Sequence, residues 1–189
     1  MSTVPVNGFI LAGGKSSRMG RDKALLDWHG RPLVAHMVHV LETATDEVRV
    51  VGRDPLPDRV PGRGPLSGIA TALEVSSTDA NLILAVDLPF LTKDFLLYFR
   101  SLIETSSRRL LACKIGSHFP LCLGVRKTLL PAIERLLSSK DRSLYAWIAG
   151  SDAEILSEPQ LRTAGFEASI FRNLNTPEDY ERGNSGSDW

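Results

Sequence analysis

Long apolar runs, cysteine and an excess of charge of either sign are what this sequence lacks. Its apolar stretches last about five residues, far short of the ~20 that a membrane-crossing helix requires. The N-terminus, Met-Ser-Thr-Val-Pro-Val-Asn, has no basic segment leading into an apolar core. No secretory leader is therefore expected, and the cytoplasm is the expected compartment. Only two cysteines occur, Cys113 and Cys122, each within an apolar strand-like segment. They read as buried thiols rather than a disulfide or a metal pair. Lys plus Arg and Asp plus Glu each total 22, so the formal charge is zero. That balance argues against nucleic-acid binding, which rests on broad phosphate neutralisation, but leaves room for a local basic pocket. No membrane association is expected either.

What is present is an ordinary globular composition, 43% hydrophobic and 23% charged over 189 residues, long enough for one domain with a sizeable core. Two hydrophobic periods alternate. Short apolar runs at 8–12, 48–52 and 81–86 read as buried strands. Amphipathic stripes lie between and after them: Leu33, Val34, Met37, Val38, Val40 and Leu41 behind Pro32; Phe95, Leu96, Phe99, Leu102 and Ile103 behind a capping Thr92; and Leu129, Leu130, Ile133, Leu136 and Leu137. Strands at 109–114 and 119–125 follow so closely that one should run antiparallel. A last strand is expected at 168–174, then a short helix from Pro177. The polar residues 183–189 read as a disordered tail. Continuous apolar strands separated by helices predict an α/β fold, a mostly parallel sheet covered on both faces. No internal repeat or domain boundary is visible.

In such a sheet, ligands bind beyond the carboxyl ends of the strands, where the strand order reverses. The first strand runs into Leu11-Ala12-Gly13-Gly14-Lys15-Ser16-Ser17-Arg18-Met19-Gly20-Arg21-Asp22-Lys23. Glycines let backbone N–H groups approach an anion, and Lys15, Arg18 and Lys23 supply positive charge for a triphosphate. Two familiar phosphate loops fail. The Walker pattern needs glycine where Phe9 stands, and the dinucleotide fingerprint needs glycine where Lys15 stands.

The strand at 81–86 ends in Asp87, a hard carboxylate aimed into the same crevice. Magnesium takes one or two such groups together with phosphate oxygens and water; the competing reading is a turn-initiating aspartate. Gly64 and Ser67 lie at a helix start opened by Pro65, either a site for a base or ribose or simply a capped helix. Asn173 and Asn175 suit N-caps before Pro177. His36 and His39, three apart, lack a third ligand nearby and read as a partly exposed helix face. Gly116-Ser117-His118 reads as a hairpin turn.

The run from Leu11 to Lys23 resembles the signature L-A-G-G-x-S-x-R-M-G-x-D-K of the molybdenum cofactor guanylyltransferases. The similarity continues in Gly30-Arg31-Pro32-Leu33, in Pro61-Gly62-Arg63-Gly64-Pro65-Leu66-Ser67-Gly68, in Asp87-Leu88-Pro89-Phe90-Leu91 and in Asn173-Leu174-Asn175-Thr176-Pro177. The resemblance implies a three-layer αβα, Rossmann-like nucleotide-diphosphate-transferase fold. It implies transfer of GMP from GTP to the terminal phosphate of molybdopterin, with release of pyrophosphate. Under it, Leu11, Ala12, Gly13 and Gly14 seat the nucleotide, while Arg18 and Lys23 neutralise the phosphates. Asp87 holds Mg2+, and the block containing Gly64 and Ser67 lines the base pocket. Asp58 and Gly52 contact the nucleotide, although the connection from Gly52 to Pro61 is shorter than the family pattern. Asn175 reaches the metal or the reacting phosphates, and the 116–118 turn belongs to the acceptor side. Implied partners are GTP and molybdopterin, with other cofactor-biosynthesis proteins and molybdoenzyme chaperones as further candidates.

Three alternatives stay open. A cytidylyltransferase for the same cofactor tends to carry Ala-Ala-Gly and Asp-Gln-Pro where this chain has Ala12-Gly13-Gly14 and Asp87-Leu88-Pro89, which favours guanylyl. A sugar-nucleotide pyrophosphorylase shares the fold. A non-catalytic nucleotide-binding module has no use for Asp87 together with Arg18 and Lys23.

Overall fold

The computed structural model describes residues 4–13, 22–139 and 143–185. Among them, eight strands and seven α-helices occur in the order β1 (Val6–Leu11), β2 (Asp27–Trp28), β3 (Arg31–Pro32), α1 (Leu33–Leu41), β4 (Glu47–Val51), α2 (Pro65–Val75), β5 (Ala80–Ala85), α3 (Lys93–Thr105), β6 (Leu110–Lys114), β7 (Cys122–Arg126), α4 (Leu130–Ser138), α5 (Leu144–Ala149), β8 (Ala153–Ser157), α6 (Glu158–Thr163) and α7 (Pro177–Ser185). Six strands form one sheet in the order β4-β1-β5-β7-β6-β8, and β2 pairs with β3 in a separate small ribbon. Within the large sheet β7 alone runs against the rest, as the close spacing of two strands predicted.

The side-chain alternation of a strand divides the core in two. Ile10 of β1 and Leu82 and Leu84 of β5 face α1 and α3, packing with Leu33, Met37, Phe95 and Phe99. Phe9, Leu11 and Ile83 point the other way, toward Leu66, Ile69 and Leu73 of α2, Ile133 of α4 and Trp147 of α5. Helices thus cover both faces, which is the three-layer αβα arrangement. Local signals define the helix starts. Thr92 Oγ1 accepts from the Phe95 N–H at 3.2 Å, and Pro65 occupies the first turn of α2 behind Gly64, whose φ is +70°. No helix of the described residues is long and apolar enough to cross a membrane. Cys113 and Cys122 are free and buried, and burial pushes both thiols up, which leaves them inert.

Two expectations fail. The last strand does not lie at 168–174. The sixth strand is β8, earlier in the chain and parallel to β6. Ala168–Phe171 forms a 3₁₀ turn instead, and Phe171 packs edge-on against Phe95 with ring centroids 5.0 Å apart. Phe166 does the same at 5.4 Å. The apolar residues that suggested a strand fill the layer over α3, and little of their backbone joins the sheet. Residues 183–185, expected in a disordered tail, belong to α7. Gly183 is buried so closely that an added Cβ would lie 2.7 Å from the Trp28 ring and 2.9 Å from that of Phe90. Residues 186–189 lie outside the described residues.

Candidate active site

The order β4-β1-β5 means that the chain leaves β1 on one side and returns on the other, so the crevice of such a sheet opens above β1. The chain emerges there as Leu11, Ala12 and Gly13. Ala12 N–H donates to the Val51 carbonyl at 2.8 Å, and Val86 N–H donates to the Leu11 carbonyl at 3.1 Å. The tips of all three strands are thereby tied together.

Two glycines make this possible. Gly52 has φ +94°, and a Cβ built on it would lie 2.4 Å from both N and Cα of Gly13. No side chain fits there, so the backbones of the first and fourth strands touch. On the other side of Gly13 stands Asp58: a Cβ on Gly13 would meet Asp58 Oδ2 at 2.8 Å. Burial pushes the Asp58 carboxyl up. Gly68 borders the same space, with Asp58 Oδ1 3.5 Å from the position of its absent Cβ. The structure thus gathers Leu11, Ala12, Gly13, Gly52 and Asp58, although the connection before Pro61 is short.

A second group forms at the tip of β5. Lys23 Nζ lies 3.4 Å from Asp87 Oδ2 and 3.4 Å from Asn175 Oδ1. Asn173 Nδ2 donates to the other Asp87 oxygen at 3.2 Å, and Leu174 N–H donates to the Asp87 carbonyl at 3.0 Å. Asn173 and Asn175 alternate in extended chain, so both reach the same side while Leu174 is buried opposite. Neither asparagine side chain caps α7. Thr176 Oγ1 accepts from the Asp179 N–H at 3.1 Å, and Asp179 Oδ2 accepts from the N–H groups of Thr176 and Asn175 at 2.9 and 3.0 Å. That reciprocal cap leaves both amides available to Asp87 and Lys23.

Asn173 was not singled out as a site residue in the sequence, though the Asn-x-Asn spacing carried the signal. Ser67 is placed differently from the expectation. It is 1% exposed, and its hydroxyl accepts from the Val60 N–H at 3.1 Å, fastening the chain beyond Asp58 onto α2. Gly64 is exposed at the start of that helix. Gly14, Lys15 and Arg18 lie outside the described residues. His36 is turned away from metal chemistry, with Nε2 3.0 Å from the Pro89 carbonyl and its pKa lowered by burial.

The donor set suits a hard cation. Among the described residues no cluster of three His, Cys, Asp or Glu side chains exists. At the tip of β5 the described residues present one carboxylate, that of Asp87, a hard oxygen donor of the kind that magnesium takes together with substrate oxygens and water, and unlike the His and Cys ligands of a zinc site. Lys23 Nζ, beside Asp87, marks the spot as one where positive charge is stable.

The chain is similar to curated proteins over nearly its full length. A molybdenum cofactor guanylyltransferase of Syntrophotalea carbinolica is 32% identical, the match covering 92% of this chain and 88% of that protein. A probable molybdenum cofactor guanylyltransferase of Carboxydothermus hydrogenoformans is 34% identical over 92% of both. Among solved structures, molybdopterin-guanine dinucleotide biosynthesis protein A of Archaeoglobus fulgidus superposes with a TM-score of 0.75 over 95% of this chain and 97% of that one. At 20% identity, that likeness is one of fold. Residues 8–155, from the first β-strand to the last, match the family described as MobA-like NTP transferase domain, and the chain belongs to that family.

Proposed function

We propose that this protein is a magnesium-dependent guanylyltransferase that transfers GMP from GTP to the terminal phosphate of molybdopterin. The observation that carries the reading is the meeting of Lys23, Asp87, Asn173 and Asn175 at the tip of β5, next to the strand tip from which Gly13 emerges. The relatives named above supply the base and the acceptor. Work in the cytoplasm fits the chain's composition.

The reaction needs little covalent chemistry from the protein. An oxygen of the acceptor phosphate attacks the α-phosphorus of GTP; that O–P bond forms as the bond to the bridging oxygen breaks, and pyrophosphate leaves with the electron pair. The attacking phosphate is already ionised near neutral pH, so no general base is required. Catalysis is positioning and stabilisation of charge on phosphate oxygens. When bound, magnesium at Asp87 would neutralise charge on the triphosphate. Asn173 fixes the orientation of the Asp87 carboxylate, and Lys23 and Arg18 neutralise the departing phosphates. Asn175 holds the Lys23 ammonium toward them. The Leu11–Gly14 backbone seats the nucleotide, with Gly52 allowing the close approach and Asp58 beside it. The α2 N-terminus at Gly64 is the candidate wall for the base. Ser67 contributes by holding the Asp58 segment rather than by touching ligand.

Base preference tests this reading. Leaving buried hydrogen-bonding groups unpaired against the wrong base costs about 1–3 kcal/mol each. Two mismatches would discriminate on the order of a hundredfold. GTP with magnesium should raise the melting temperature clearly, while ATP, CTP and UTP do so weakly or not at all. Addition of molybdopterin should release pyrophosphate with GTP only. A preference for CTP would move the protein to the cytidylyl branch, and indifference among the four would defeat the reading.

A further inference from the structure

We infer that Arg53 is a positioning residue: together with Gly52 it clasps both ends of the glycine-rich segment and thereby holds Lys23 at Asp87. Gly52 receives the entry of that segment, through its contact with Gly13. Arg53, the next residue, receives the exit. Its Nη2 lies 2.6 Å from Asp22 Oδ2. The other oxygen of the same carboxylate accepts from the Ala24 N–H at 3.1 Å and so caps the 3₁₀ turn Lys23–Leu25. One carboxylate therefore joins the tip of β4 to the turn that carries Lys23.

The anchor itself is firm. Leu56 N–H donates to the Arg53 carbonyl at 2.7 Å, and Gly52 N–H to the Leu56 carbonyl at 2.9 Å. A second observation concerns the guanidinium. Its Nε is buried and, among the described residues, has no hydrogen-bond partner, an arrangement that stability alone does not favour. The Arg53–Asp22 pair is itself partly exposed, with side chains 25% and 44% accessible, so its loss should change global stability little. Stability and positioning can therefore be measured apart.

The kinetic part of this inference rests on the nucleotidyl-transfer reading; the structural part does not. The test uses the full chain carrying Arg53→Met, with Asp22→Asn as a second way to break the pair. In the ligand-free protein, amide exchange at Ala24, Leu25 and Leu26 should quicken on the order of tenfold in both variants, while β5 amides and the melting temperature stay as in the parent. In turnover of GTP with magnesium and molybdopterin, Arg53→Met should lower kcat on the order of tenfold, because small displacements of a charged group are costly in phosphoryl chemistry. Added to Lys23→Met, it should cost no more than about twofold further, since Arg53 acts through Lys23.

Unchanged exchange at residues 24–26 in both variants would overturn the inference. So would a fully additive loss in the double variant, which would mean direct contact between Arg53 and substrate. If exchange quickens as expected but the parent turns over no nucleoside triphosphate, the clasp stands and the proposed function falls.

Discussion

Lys23 and Asp87, from the turn after the glycine-rich segment and from the tip of β5, meet with Nζ and Oδ2 3.4 Å apart. Their side chains are 16% and 20% accessible, so each remains within reach of a ligand. A partly exposed pair of this length contributes little to stability, which makes substitutions here readouts of function.

Asp87→Ala should reduce magnesium-dependent pyrophosphate release by at least about a hundredfold, since stabilisation of developing phosphate charge is typically that large. The folded state should persist by circular dichroism. Activity within a few fold of the parent would remove Asp87 from the metal role.

Lys23→Ala should weaken triphosphate binding and slow turnover together, because the ammonium sits at the Asp87–Asn175 group. Lys15→Ala, at a variable position of the signature, should matter far less. Titration calorimetry with GTP compares the two. Equal losses would mean that the wrong side of the loop has been assigned to the site.

Gly52→Ala should be disproportionately harmful for one methyl group. It meets both a φ of +94° and a 2.4 Å clash with Gly13 backbone, which no rotamer can relieve. Left-handed strain and displacement of the loop together should cost about 2 kcal/mol or more, lowering the melting temperature by roughly 4–8 °C, with nucleotide affinity falling as well. Thermal unfolding with and without GTP would measure both.

Asp58→Asn should separate stability from binding through pH. Burial raises the carboxyl pKa in the folded state, so folding favours the protonated form. The folded parent therefore holds more protons than the unfolded chain once pH passes the ordinary carboxylate range. Stability is lost as pH rises toward the folded value, and the penalty is constant above it. Asp58→Asn should melt at or above the parent at pH 7.5, and the difference should close where both states are protonated. Nucleotide affinity should nevertheless fall. A variant that melts lower at pH 7.5 and converges with the parent at neither end would contradict the sign.

The central strands, the capped start of α3, the Pro65 start of α2 and the antiparallel strand were legible because each is encoded locally. Strand β8 was not. Its residues Ala153–Ser157 form a short, half-buried edge strand, with Ala153 and Ile155 only partly buried against the core layer that also holds Ile133 and Trp147, and short edge strands lack a continuous apolar run. Residues 168–174 misled for the opposite reason. Phe171 and Leu174 are buried, but Phe171 lies against the Phe95 ring of α3 and the Leu174 N–H is tied to the Asp87 carbonyl, with neither residue in a strand of the sheet. Periodicity reports burial and does not say against what.

By itself the sequence determined which residue types stand at strand ends: glycines where backbone must approach backbone, a carboxylate after the apolar run 81–86, and a lysine closing the signature. These depend on neighbours a few positions away. Which of them touch was decided by the tertiary structure alone. Lys23 meets Asp87 across 64 positions, Asn173 meets Asp87 across 86, and Lys23 meets Asn175 across 152. Such contacts depend on the strand order β4-β1-β5 and on α7 docking against Trp28, and no local pattern specifies either. The same holds for the reassignment of capping to Thr176 and Asp179, for the inward turn of Ser67 and for Arg53 at Asp22. A short polar side chain satisfies whichever partner the packed layers bring within about 3 Å, and that partner exists only once the layers have closed.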